Sequence, residues 1–266
     1  MSERARADGP PLLELRAIEK RFGGVSALAG VDLEVRAGEV VGLVGDNGAG
    51  KSTLVKVITG VVLADAGEVA FEGRRVRIHS PQDAAALGIA AVYQDLALCD
   101  NLDVVANLFL GREQRRGGPR GPLDSITMEQ QARTLLDSLS VGGLDDVRRE
   151  VGAMSGGQRQ SVAITRALLG DARLVILDEP TAALGVVQTE QVLTLVRRLR
   201  GRGLAVVLVS HNLADVFSVA DRIAVIRLGQ NAGTFPADAD RRQEVVAAIT
   251  GAAHDLAPAG APEPGT

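Results

Sequence analysis

Tryptophan is absent from the 266 residues, tyrosine occurs once, and aromatics make up only 2% of the chain. Stacking platforms for single-stranded nucleic acid need such rings, so the composition argues against that class of binder and leaves Val, Leu, Ile and Ala to build the core. No excess of positive charge offers a polyanion a broad face, because 29 basic residues stand against 33 acidic ones. Nucleic acid is therefore not an expected partner. Lysine is scarce: Lys20, Lys51 and Lys56 are the three, and every other basic residue is Arg. Cys99 is a single cysteine and supports no internal disulfide, and residues 1–10 lack the apolar stretch of a secretory signal, so a cytoplasmic chain is expected. The longest apolar run, residues 204–209, falls far short of the roughly 20 residues that cross a bilayer. A role at a membrane would need a partner chain.

What is present is enough for a core, since 46% of residues are hydrophobic and 23% charged, which excludes wholly disordered and collagen-like chains. Residues 12–18 and 31–35 alternate apolar with polar side chains, as half-buried strands do, and are read as one sheet edge. Residues 40–44 form a nearly continuous apolar strand that runs into a glycine loop and then a helix over 51–59. Segments 67–71 and 75–78 read as a hairpin, 81–88 as a helix and 89–93 as a strand. Between 96 and 140 the spacing turns helical, broken by Gly and Pro over 117–122, which suggests an inserted helical unit. Helices over 157–169, 187–200 and 213–220 then alternate with apolar strands over 174–177, 204–209 and 223–228. That order predicts an α/β fold with a parallel sheet covered on both faces. Residues 252–266, rich in Ala, Pro and Gly, are expected to be a flexible tail.

Three motifs carry chemistry. Gly45-Asp46-Asn47-Gly48-Ala49-Gly50-Lys51-Ser52 follows an apolar strand and opens a helix, the context of a phosphate-binding P-loop. Its N–H groups and the positive helix end suit phosphate oxygens, Lys51 would reach the β- and γ-phosphates, and Ser52 would ligate Mg²⁺. Leu174-Val175-Ile176-Leu177 delivers Asp178 and Glu179 to the carboxyl end of the sheet, where Asp178 can hold Mg²⁺ and Glu179 can act as general base. Alone, those carboxylates would read as an acidic turn. Ser155-Gly156-Gly157-Gln158 is either a plain turn or a second anion site at a helix start.

In this order and spacing the residues resemble the ATPase subunits of ATP-binding cassette (ABC) transporters over about residues 12–251. Gly45, Asn47, Gly48, Ala49, Gly50, Lys51, Ser52 and the adjoining Thr53 match the Walker A loop, Asp178 and Glu179 match Walker B and the catalytic carboxylate, and Met154 to Gln158 match the family signature. By the same resemblance Phe22 stacks on adenine, Gln94 senses Mg²⁺ and the γ-phosphate, and His211 is the switch histidine. The resemblance implies a RecA-like P-loop NTPase core with an N-terminal antiparallel β subdomain and a helical insert at about 95–158, all within one domain over 1–251. It further implies ATP and Mg²⁺ as cofactors and a homodimer in which each ATP lies between the Walker A loop of one copy and Ser155 to Gln158 of the other. Transmembrane permease subunits would hold the chain at the cytoplasmic face of the cell membrane.

Two positions depart from the family pattern. Met154 replaces a Leu of similar volume. Gly185 stands where many members carry an Asp that reaches across the dimer, so that contact would be weaker or made by other groups. Finer similarity, in residues 21–28, 91–98 and 107–113, points to bacterial monosaccharide importers of the ribose, xylose and fructose type, with an extracytoplasmic sugar-binding protein as an indirect partner. Many of those ATPases fuse two cassettes, so a chain with one would act as two copies. An amino-acid importer or an exporter remains compatible with the catalytic motifs, and a P-loop kinase would use the first two motifs without the third. A chromosome-maintenance ATPase needs a long coiled coil between Gln94 and Ser155 for which there is no room.

Overall fold

The computed structural model describes residues 10–139, 144 and 146–252. The tail expected over 252–266 lies, apart from Ala252, outside the described residues, as do the first nine residues.

Two sheets share one core. Strands β1 (Leu13–Phe22), β2 (Val25–Val35), β4 (Ala66–Phe71) and β5 (Arg74–Val76) form an antiparallel sheet in the order β2-β1-β4-β5. The expected sheet edge is thus half right: within this one sheet β2 is an edge and β1 an interior strand, and both run further than the alternation suggested. The second sheet has six strands in the order β10-β9-β3-β8-β7-β6, with β3 (Val40–Val44), β6 (Ile89–Val92), β7 (Leu174–Asp178), β8 (Ala205–Val209) and β9 (Arg222–Arg227) parallel. Strand β10 (Gln230–Pro236) adds an antiparallel edge. The apolar runs of β3, β7 and β8 are buried because sheet or helix covers both of their faces.

Helix α1 (Lys51–Ile58) lies in the layer between the two sheets, where Leu54, Val55 and Ile58 join the core formed with Leu15, Ile18 and Leu43. The opposite face of the parallel sheet is covered by α5 (Gly156–Ala167), α6 (Val186–Gly201), α7 (Leu213–Val219) and α8 (Arg242–Thr250), through residues such as Ile164, Val196, Val216 and Val245. Helix α2 (Pro81–Ala86) precedes β6 and is capped by Ser80.

The helical unit is less helical than its spacing predicted. It holds α3 (Val104–Phe109) and α4 (Ser125–Ser138) around a small core of Leu108, Met128, Leu136 and Met154, while the stretch between β6 and α3 is loop. Helix α5 runs unbroken through residue 158, so the expected end of the insert falls inside a helix shared by the small core and the sheet.

The loop before α3 is held by a polar side chain as well as by the packing of Leu96 and Leu98. Asn107 is fully buried, accepts from Cys99 N (2.7 Å), and donates to the carbonyls of Cys99 (2.9 Å), Leu102 (3.1 Å) and Asp103 (3.1 Å). Asn107→Leu keeps the branching of the side chain but leaves Cys99 N without an acceptor and strips each carbonyl of its second donor, the backbone bonds from Leu102 N, Val151 N and Asn107 N remaining, so a loss of about 2–4 kcal/mol is expected. Thermal melts should record a Tm lower by roughly 5–10 °C; an unchanged Tm would show that the loop finds other partners.

Candidate functional site

The carboxyl ends of β3, β8, β7 and β6 lie side by side, and each hands a different chemical group to one cleft of about 730 Å³. From β3 comes the loop Gly45 to Gly50. A side chain at Gly45 is impossible, since its Cβ would stand 2.1 Å from the carbonyl oxygen of Ile226 on β9, so the loop lies against that strand. Lys51 opens α1, is 8% exposed, and donates to the carbonyls of Gly45 (2.8 Å) and Asp46 (3.0 Å). Its ammonium is thereby held over the loop with only neutral acceptors, a cation placed where an anion would replace carbonyls. Ser52 and Thr53 follow on the same cleft wall.

From β7 come Asp178 and Glu179. Asp178 is partly buried, and its carboxyl is raised above the usual range, first by burial and then by the charge of Glu179, with Lys51 and Lys56 opposing. Glu179 leaves the strand at φ 51°, a left-handed conformation that costs an ordinary residue about 1 kcal/mol or more. Its amide donates to Val209 O of β8 (2.9 Å), and its Oε2 lies 2.7 Å from His211 Nδ1 and 3.4 Å from His211 N. With Nδ1 donating to the carboxylate, His211 presents Nε2 as its remaining ring nitrogen. Both His211 contacts fall on Oε2, and neither involves Oε1.

Gln94 arrives from β6 and lines the cleft too. Its neighbour Tyr93 donates through its hydroxyl to Thr59 Oγ1 (2.9 Å), which ties the end of β6 to the end of α1. The hard oxygen donors Ser52, Asp178 and Gln94 thus share one cleft, a donor set suited to Mg²⁺. Among the described residues no group of three or more His, Cys, Asp and Glu gathers, so substrate phosphates would have to supply the rest of a metal's coordination.

The signature residues stand apart. Ser155, Gly157 and Gln158 are not among the cleft-lining residues, and Gly156 lines a neighbouring depression of about 390 Å³ that shares Gln94, Glu179 and Ala182 with the cleft. Ser155 caps α5 in a reciprocal box: its Oγ accepts from Gln158 N (3.3 Å), and Gln158 Oε1 accepts from Ser155 N (3.0 Å). The Ser155 hydroxyl lies at an exposed helix tip, where an anion is favoured, with Gly156 half-buried and Gly157 buried behind it. Gly157 is needed for close approach, because a Cβ would come 2.9 Å from Gln188 Cβ on α6.

Phe22 does not pack in the core. It is 49% exposed, lies under Lys20 Nζ at 5.5 Å, and pairs across the hairpin with Val25, a cleft-lining residue. Gly185 caps α6 without a side-chain hydrogen bond. The sequence reading missed part of the wall, namely Val25, Ser26, Ala27, Ser210, Leu213, Val246 and Ile249. Val246 and Ile249 belong to α8, a helix that reading did not place.

A sequence profile described as ABC transporter matches residues 28–182, which is more than half of the chain. The chain belongs to the ABC transporter family. It is 44% identical over 246 residues to the fructose import ATP-binding protein FrcA of Rhizobium meliloti, covering 91% of this chain and 95% of that one. It is 47% identical over 219 residues to the xylose/arabinose import ATP-binding protein XylG of Sulfolobus acidocaldarius, covering 82% and 86%. The crystal structure of a nucleotide-free ATP-binding cassette from an ABC transporter superposes with a TM-score of 0.76 at 28% identity, over 89% of this chain and 95% of that one. The P-loop fold and the transport-coupled ATPase class follow from membership in the family.

In this cassette the raised carboxyl of Asp178 has a thermodynamic consequence. An acid that holds its proton more tightly when folded costs stability wherever it is ionised, in full above its folded pKa and not at all below its unfolded one. Asp178→Asn is therefore expected to raise Tm near pH 7.5, with the gain fading as the pH falls through the acidic range. Melting curves across pH would contradict this if the variant were less stable at pH 7.5.

Proposed function

We propose that the chain hydrolyses ATP to power a monosaccharide importer, two copies closing on two nucleotides at the cytoplasmic face of the membrane. The observation that carries this reading is the separation of the two anion-binding helix starts: the Lys51 loop opens into the cleft while the Ser155 tip lies outside it. A nucleotide gripped by both needs the tip of a second copy.

The residues divide the work. The amides of Gly48 to Ser52 receive phosphate oxygens, and Lys51 exchanges two carbonyls for the β- and γ-phosphates. Phe22, which does not itself line the cleft but pairs with the cleft-lining Val25 and is half exposed, would stack on adenine. Mg²⁺, when bound, would be held by Ser52, Asp178 and Gln94 and would neutralise phosphate charge. Glu179 takes a proton from the attacking water on Oε1 while His211 holds Oε2, so the water oxygen can bond to the γ-phosphorus as the bond to the ADP oxygen breaks. Contacts made only by the γ-phosphate favour the closed pair, and their loss reopens it.

A groove of about 420 Å³ between α2, β6 and α5, with Ala84, Ala85, Ala91, Ala163 and Ala167 in its wall, is suited to a cytoplasmic helix of a permease. The sugar assignment rests on relatives that bear the names of fructose and xylose/arabinose import proteins. The sugar itself would be chosen by the permease and an extracytoplasmic binding protein.

Glu179→Gln should bind ATP normally, slow turnover by roughly 10²-fold or more, and elute as a dimer when loaded with Mg-ATP. Elution as a monomer alone would remove the two-copy reading. Ser155→Arg should abolish turnover while the isolated subunit binds ATP with unchanged affinity, as measured with a fluorescent nucleotide. Full activity of that variant would favour a kinase-like enzyme with no use for the helix tip.

A further inference from the structure

Asp215 is a carboxylate with no task in the hydrolytic arrangement above. It lies in the first turn of α7, is 8% exposed, and among the described residues forms no ion pair. A buried charge of that kind is costly unless its oxygens are hydrogen-bonded. Thr181 supplies such a bond, its Oγ1 donating to Asp215 Oδ2 at 2.7 Å.

The two partners are placed on either side of the catalytic pair. Thr181 follows Glu179 by two positions, Asp215 follows His211 by four, and Glu179 Oε2 meets His211 Nδ1 at 2.7 Å. Two side-chain hydrogen bonds and two short chain segments therefore close a ring. On one side of it, Glu179 (φ 51°) and Ala183 (φ 61°) hold left-handed conformations that a free loop would relax. The amides of Ala182 and Leu184 bond within the loop, to Glu179 O and Thr181 O, whereas the Thr181 hydroxyl leads out of it to a helix. On the other side, the start of α7 is stiffened by Asn212, whose Oδ1 accepts from Ala214 N. Beyond Ala183 the loop reaches the start of α5, where a Cβ added to Gly156 would stand 2.8 Å from Leu184 Cδ2.

We propose that Thr181 and Asp215 are positioning residues for hydrolysis: their hydrogen bond sets the spacing between the Glu179 carboxylate and His211 and holds the strained loop against the α5 tip. The proposal rests on Glu179 acting as the base. Losing the bond lets the loop relax, which moves the carboxylate without touching the phosphate cradle. Turnover should suffer and nucleotide binding should not.

The test measures ATP turnover and nucleotide binding on the full chain for Thr181→Val, Asp215→Ala, the double variant and Thr181→Ser. Thr181→Val and Asp215→Ala should each lower kcat by roughly 10- to 100-fold while KM for ATP stays within about twofold. The double variant should be no slower than the slower single one, because both remove the same bond. Thr181→Ser, which keeps the hydroxyl, should recover most of the rate, a result that simple loss of packing would not produce. Unchanged nucleotide binding certifies that each variant is folded. Wild-type turnover by Thr181→Val, losses that multiply in the double variant, or a Thr181→Ser as slow as Thr181→Val would each overturn the clamp. Glu179→Gln measured in parallel separates the two readings: if it is inactive while Thr181→Val is normal, the clamp alone fails, and if it is fully active, the base assignment fails with it.

Discussion

The pairing register of three buried strands is the constraint on which the site depends. Leu43 of β3 and Asp178 of β7 both stand opposite Val209 of β8, so the three strands end level with one another. One or two residues further on, the chain delivers Gly45, Glu179 and His211 to the same space. A shift of one residue in β3 would put a side chain in the place of Gly42, where a Cβ would stand 2.3 Å from Val216 Cγ1, and would carry the Gly45 loop away from the cleft. The apolar packing that forbids the shift is therefore also what aligns the chemistry.

The site stores unfavourable terms that this packing sustains. Asp178 is partly buried beside a second carboxylate, Lys51 is buried against neutral carbonyls, and Glu179 and Ala183 adopt left-handed backbone. Each would relax in isolation. Held between rigid strands, they form a preorganised set in which a cation hydrogen-bonded to neutral carbonyls and a carboxyl raised by its surroundings are both suited to phosphate and metal.

The small helical unit solves a different problem, that of holding a helix start exposed. Met154 is buried in its core, while the next residue, Ser155, is exposed and caps α5. The capping box satisfies the tip internally, so the helix stands without a ligand. Gly157 lets the tip lie directly on α6, and Leu184 brings the loop after the catalytic strand to the same place. The tip and Glu179 thus border the same depression, linked through Leu184, although Ser155 does not line the cleft.

Local spacing was sufficient for much of this. The glycine pattern with Lys51 and Ser52, the apolar runs of β3, β7 and β8, and the Ser155 helix start are written over a few consecutive residues, because loop hydrogen bonding and side-chain periodicity are short-range properties. The edge strand β10 and helix α8 were not legible: Gln230–Pro236 contains glycine and proline and borders solvent, and Arg242–Thr250 buries only Val245 and Ala248. The Glu179–His211 contact, the Thr181–Asp215 bond and the Asn107 staple belong to the tertiary structure alone. The first two join residues more than thirty positions apart, and strand register and close packing decide them after the local elements have formed. Asn107 is only eight positions from Cys99, yet its role depends on burial, which no spacing reveals.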